Sequence, residues 1–212
     1  MCFSAEASFT AAGVLAVIGT VLVKKFHKDK KVLLSLIPFF FAMQQLSEGV
    51  LWIALTRNLY PNSWSLLTQV VYQFIAYIFW PIWIPLAFRY AEKQSWRKSI
   101  LNILLILGSL SILKIGLTLA SEGIVTPKIV QHSITYGESP QLFKLLYAII
   151  VLVPFFISSL PNAGIVGLII GITFFVASYF YAYAFASVWC FFAAVVSVSL
   201  FFLLKRKEKK IL

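Results

Sequence analysis

Apolar runs long enough to form a membrane helix, parted by short polar or turn-forming segments, recur from one end of the chain to the other. A bilayer core of about 30 Å asks for roughly 20 residues of helix rising about 1.5 Å each. Seven runs meet that length, at 7–23, 33–56, 64–88, 99–120, 142–160, 163–183 and 186–204. The last three are parted by turn chemistry, SLPNAG at 159–164 and YAYAFAS at 181–187, because the whole stretch 142–204 holds a single charge, Lys144. Between the fourth and fifth runs, KIVQHSITYG has the Ile, Val, Thr and Tyr content of extended chain. The pattern predicts an all-α integral membrane protein with one domain over 1–212. It is a seven-transmembrane-helix bundle carrying a short extended or hairpin lid at about 124–138.

Composition agrees. Of 212 residues, 61% are hydrophobic and 12% charged, with a mean hydropathy of +0.92, against about 45–50% and 25% in soluble domains. The net charge of +11 is no sign of a nucleic-acid binder. Fourteen of the 18 Lys and Arg fall in three clusters beside apolar runs, Lys24 to Lys31, Arg89 to Lys98 and Lys205 to Lys210, the pattern of cytoplasmic loops. All three share one side only if an odd number of spans follows the 121–141 loop, which selects seven spans, an external N-terminus and a cytoplasmic C-terminus. MCFSAEASF lacks a basic n-region and has Glu6 ahead of its apolar run, so the first helix is expected to stay uncleaved.

Direction through the bilayer then places the polar residues. Glu48, in FAMQQLSEGVLWIAL, lies eight residues before Thr56, about 12 Å below the outer end of the second span. An isolated intramembrane carboxylate costs about 2.5–3.5 kcal/mol or more, so it should face the bundle interior. Gln44, Gln45, Glu48 and Trp52 recur at helical spacing on one broad face, which suits either an interhelical polar seam or a buried site opening outward. The third span offers Gln69, Gln73, Tyr77 and Trp80 as a stripe, with Tyr72 beside it, and then WPIWIP, whose Pro81 and Pro85 should bend the inner half. Lys114 of the fourth span is the cation at comparable depth, either snorkelling outward or paired with Glu48.

Cys2, His132 and Cys190 are all assigned to the outer side. With Glu48 they are the residue types of a mixed zinc or copper site, while Cys2 and Cys190 alone suit a disulfide on the oxidising side or free thiols. Glu48 and His132 are the candidate acid–base residues. Gln44, Gln45, Trp52, Tyr72, Gln73 and Lys114 are the candidate ligand contacts. The chain lacks a retinal-type lysine in the last span, a Gly-rich phosphate loop, CxxC, HExxH and paired intramembrane histidines.

The segments MCFSAEAS, QQLSEGVLW, WPIWIP, HSITY and SVWCFFAA resemble an uncharacterised family of small bacterial polytopic membrane proteins that begin with an MCFS-type start. The resemblance implies a seven-helix fold in the bacterial inner membrane and assigns no catalytic residue. Two classes stay open. One is an outward-facing metal-binding protein or metal-dependent membrane enzyme built around Glu48. The other is a non-enzymatic binder, sensor or transporter of a small apolar or lipid-like molecule.

Overall fold

The computed structural model describes residues 4–122, 125–137 and 141–200, without the side chains of 111–122, 141 and 142. The chain is mostly helical. It forms α1 (Ala5–Phe26), α2 (Val32–Ser35) and α3 (Ile37–Thr56), then α4 (Ser63–Gln73), which passes through a π-helical stretch (Phe74–Phe79) into α5 (Trp80–Ala91), and then α6 (Ser95–Glu122). Strands β1 (Lys128–Val130) and β2 (Ser133–Thr135) precede α7 (Gln141–Ile157) and α8 (Ala163–Phe180). A 3-10 turn (Ala182–Ala184) leads into α9 (Phe185–Ser197). Four stretches, Ala5–Phe26, Val32–Thr56, Ser63–Ala91 and Ala163–Phe180, are long and apolar enough to cross a membrane. Their outer faces expose Val14, Val17 and Val21 of α1 and Ile165, Leu168, Ile172 and Phe175 of α8, surfaces compatible with lipid contact.

Local chemistry sets the helix ends. Ser4 caps α1 by accepting from the Ala7 N–H at 3.2 Å, with Glu6 in the first turn and Lys24 and Lys25 in the last, the signs that the helix dipole favours. Asn62 and Ser65 form a reciprocal capping box at the start of α4. The expected 33–56 run breaks at Leu36, because Pro38 has no N–H to continue the ladder and the helix restarts with that proline in its first turn.

The 64–88 run departs from its expected stripe. Burial follows Gln69, Tyr72, Ala76, Trp80 and Ile84, which leaves Gln73 and Tyr77 half-buried. A π turn closes its bonds one residue later than an α turn, so residues 74–79 turn the lower half of the helix back toward the face that Tyr72 occupies. Below them Pro85 cannot donate to the carbonyl of Pro81. Gly108 of α6 faces that carbonyl, so closely that a Cβ there would collide with it.

Two loop clasps mark opposite ends of the molecule. At the end where α5 meets α6, Glu92 is 3% exposed. One oxygen accepts from the N–H groups of Lys93 and Gln94 and the Ser159 hydroxyl; the other accepts from the Ser159 N–H at 2.9 Å. Burial alone would push the Glu92 carboxyl up, but these hydrogen bonds outweigh it and hold it below its ordinary value. At the other end the Tyr60 hydroxyl donates to Gln69, whose amide donates to the Val125 carbonyl, both at 2.7 Å. The hairpin sits at that end, paired in antiparallel register Lys128 to Thr135, Ile129 to Ile134 and Val130 to Ser133.

Candidate functional site

Beneath the hairpin lies a chamber of buried polar side chains. Gln44, Gln45 and Glu48 of α3 have no exposed surface, and Trp52 is 4% exposed. The Glu48 carboxylate accepts from the Ser187 hydroxyl of α9 at 2.5 Å and, more loosely, from the Gln45 amide at 3.5 Å. Gln44 accepts from the Trp80 indole N–H at 3.0 Å. Gln44 and Tyr72 lie against the Cys190 thiol, with Glu48 close enough to act on it electrostatically. From above, Tyr136 stacks on Tyr72 with ring centroids 4.5 Å apart, and Ile134 is fully buried beside them.

The chamber holds more polar capacity than its own bonds use. Among the described residues, Ser8 Oγ, Gln45 Oε1, Trp52 Nε1 and Ser133 Oγ are buried with no hydrogen-bond partner. Such atoms are rare in folded proteins and each costs about 1–3 kcal/mol. Gln45 and Trp52 share the helix face of Glu48, so at least one carbonyl acceptor and one indole donor stand on the same side of α3 as the carboxylate.

An apolar cleft opens directly below. It is lined by Ile37 and Phe41 of α3, Trp80 and Ile84 of α5, Tyr147, Val151 and Phe155 of α7, Ile170 of α8, and Trp189 and Cys190 of α9. Along α7 the lining runs from Tyr147 to Phe155, eight positions on, about 12 Å of helix. Trp80 and Cys190 belong to both spaces, which makes them the floor of the chamber and the roof of the cleft.

The structure thus brings Gln44, Gln45, Glu48, Trp52, Tyr72 and Cys190 together and leaves Gln73 half-buried at the edge. His132 is not among them. Gln131 and His132 are the two central residues of the hairpin turn, both left-handed with φ of 45° and 59°, and His132 is exposed. Ser133 and Ile134, which follow it in β2, are fully buried instead. Cys190 is a free, buried thiol, so the expected disulfide is not formed. Among the described residues no three His, Cys, Asp or Glu side chains group as metal ligands, which leaves the zinc or copper site without support. Cys2 and the Lys114 side chain lie outside the described residues.

Sequence reasoning misses Ser8, Ser133, Tyr136 and Ser187. A signal for Ser187 exists, since it precedes Cys190 by three residues and shares its helix face. Its pairing with Glu48 spans 139 positions and has no local trace.

Residues 1–211 match the model of a family described as "Family of unknown function (DUF6629)". The chain belongs to that family. No curated protein and no solved structure matches it.

Proposed function

We propose that the protein is a seven-span protein of the bacterial cytoplasmic membrane that binds a small amphiphilic molecule. The polar end of that molecule lies at Glu48 under the hairpin, and its apolar part lies in the cleft. The spans are α1, α2 with α3, α4 with α5, α6, α7, α8 and α9, with the hairpin end outside and the basic loops in the cytoplasm. In support, exposed aromatic residues gather near both ends, Trp64, Tyr179 and Phe180 on one side and Tyr90 and Trp96 on the other, as interfacial belts do.

The observation that carries the reading is that the polar cluster and the apolar cleft adjoin, with Trp80 and Cys190 as their shared wall. Binding sites are mostly apolar with a few convergent polar groups that fix orientation, and here the polar groups sit at one end only. The role is that of a binder or sensor, with Glu48 as the contact that orients the head. Mass spectrometry under native conditions on gently purified protein tests it. The parent should carry a small molecule that Glu48→Gln retains about tenfold less, since a hydrogen bond to a charged group contributes about 1.5–3 kcal/mol. Equal retention by the two proteins removes Glu48 from the site. A parent that binds no member of a lipid and amphiphile panel overturns the reading.

A further inference from the structure

The polar end of the proposed site has a chemical sign, set by side chains on one face of α3. The Gln45 amide nitrogen stands 3.5 Å from a Glu48 oxygen and donates to it loosely. The carbonyl oxygen Oε1 belongs to the same planar amide and so lies near that carboxylate, where among the described residues it is buried with no hydrogen-bond partner. Two acceptors are thus neighbours, on residues without exposed surface. A carboxylate or phosphate brought beside them would add negative charge to a desolvated space that already presents lone pairs. A protonated amine instead meets both acceptors with charge-assisted hydrogen bonds.

Trp52 adds a donor. It follows Glu48 by four positions on the same helix face, and it packs in one cluster with Tyr72, Tyr136 and Cys190. Its indole nitrogen Nε1 is buried with no hydrogen-bond partner among the described residues. An indole N–H can only donate, so an oxygen carried next to the amine is the group that satisfies it. The aromatic rings of that cluster are a lining compatible with an ammonium group and offer nothing to an anion.

We infer that the molecule held at Glu48 has a protonated amine head with a hydroxyl or carbonyl oxygen beside it. The amine donates to the Glu48 carboxylate and to the Gln45 oxygen, and the neighbouring oxygen accepts from the Trp52 indole. This rests on the binding role proposed above and names the class of molecule bound. Full-length protein in mild detergent is titrated with four amphiphiles of equal chain length. They are an aminododecanol with vicinal amine and hydroxyl, the matching vicinal diol, the matching hydroxy acid, and dodecyltrimethylammonium, which has the charge but no N–H. Retention is read by native mass spectrometry. The parent should hold the aminododecanol about tenfold better than the diol or the trimethylammonium, and the hydroxy acid least of all. Glu48→Gln should remove most of the amine's advantage over the diol. Detergent partitioning differs among the probes but is common to both proteins, so the change in that ratio from parent to variant reads the site. A parent that retains the diol or the hydroxy acid as well as the aminododecanol overturns the amine head while the binding role stands, and that comparison needs no variant. Equal retention of the trimethylammonium overturns donation by the amine, and an undiminished preference in Glu48→Gln overturns its placement at the carboxylate. A parent that retains none of the four overturns the binding role and the amine head together.

Discussion

The Glu48 carboxylate and the Ser187 hydroxyl meet across α3 and α9 at 2.5 Å, neither with any exposed surface. A hydrogen bond to a charged acceptor in such a place contributes about 1.5–3 kcal/mol. Ser187→Ala removes the donor, whereas Glu48→Gln leaves an oxygen to accept from it. Thermal melts in detergent should therefore rank Ser187→Ala below Glu48→Gln. The opposite order would mean that the charge, and not this bond, holds the two helices.

Glu92 gives the loops of the basic end a pH dependence. Its carboxyl is held below its ordinary value in the folded protein. The stabilisation is therefore complete above the unfolded value of about 4.3 and is lost as pH falls through the lower folded value. Melting temperature should stay flat from neutral pH to about 5 and drop below about 4. Glu92→Gln should melt lower at neutral pH and show a shallower acid limb; an unchanged limb would assign the acid sensitivity elsewhere.

The Tyr72 and Tyr136 rings, inclined by 13°, fasten the hairpin over the chamber. An aromatic pair contributes about 0.5–1.5 kcal/mol beyond the area it buries. Tyr136→Ala should raise amide hydrogen exchange in 128–137, while Tyr136→Phe, which retains the stack, should resemble the parent. Exchange left unchanged by the alanine would show that other contacts hold the hairpin.

Gly108 should tolerate no side chain, because a Cβ would meet the backbone carbonyl of Pro81 and not a movable side-chain tip. Gly108→Ala is expected to destabilise by about 1–3 kcal/mol, measured as lowered melting. A melt equal to the parent's would mean that α6 can shift away from α5 at little cost.

The proposed membrane orientation rests on the basic clusters. A reporter fused after Leu212 should be active only in the cytoplasm, and a cysteine at His132 should react with an impermeant thiol reagent from outside. Labelling of a cysteine at Lys28 from that side would invert the arrangement.

The polar face of α3 is legible in the sequence because Gln44, Gln45, Glu48 and Trp52 recur at helical spacing within one uninterrupted helix, where local period and tertiary burial agree. The hairpin is legible for a similar reason, as its β-branched residues stand out between apolar helices. Gln73 is misplaced because the buried face of α4 steps from Gln69 to Tyr72, three residues on instead of four, and Tyr77 because nothing in FIAYIF announces a π turn. His132 is assigned to the correct segment, but the two-residue turn falls on Gln131 and His132 and leaves the imidazole exposed at its tip. The cleft is invisible from sequence, because its walls come from five helices whose apolar residues look the same whether they face one another or lipid.

The π-helical stretch at 74–79 has a consequence for chain length. It absorbs one surplus residue, so the segment above and the segment below keep their faces although the count between them is one too high for a regular α-helix. Deleting a single residue there should let the stretch relax to α geometry while Gln69 and Trp80 continue to point as they do. Straightening it without a deletion would swing everything from Trp80 to Ala91 by about 100°, breaking the Trp80 bond to Gln44 and its stack on Phe41. Related chains one residue shorter between those positions are thus expected to keep the same interior, with the gap falling inside FIAYIF.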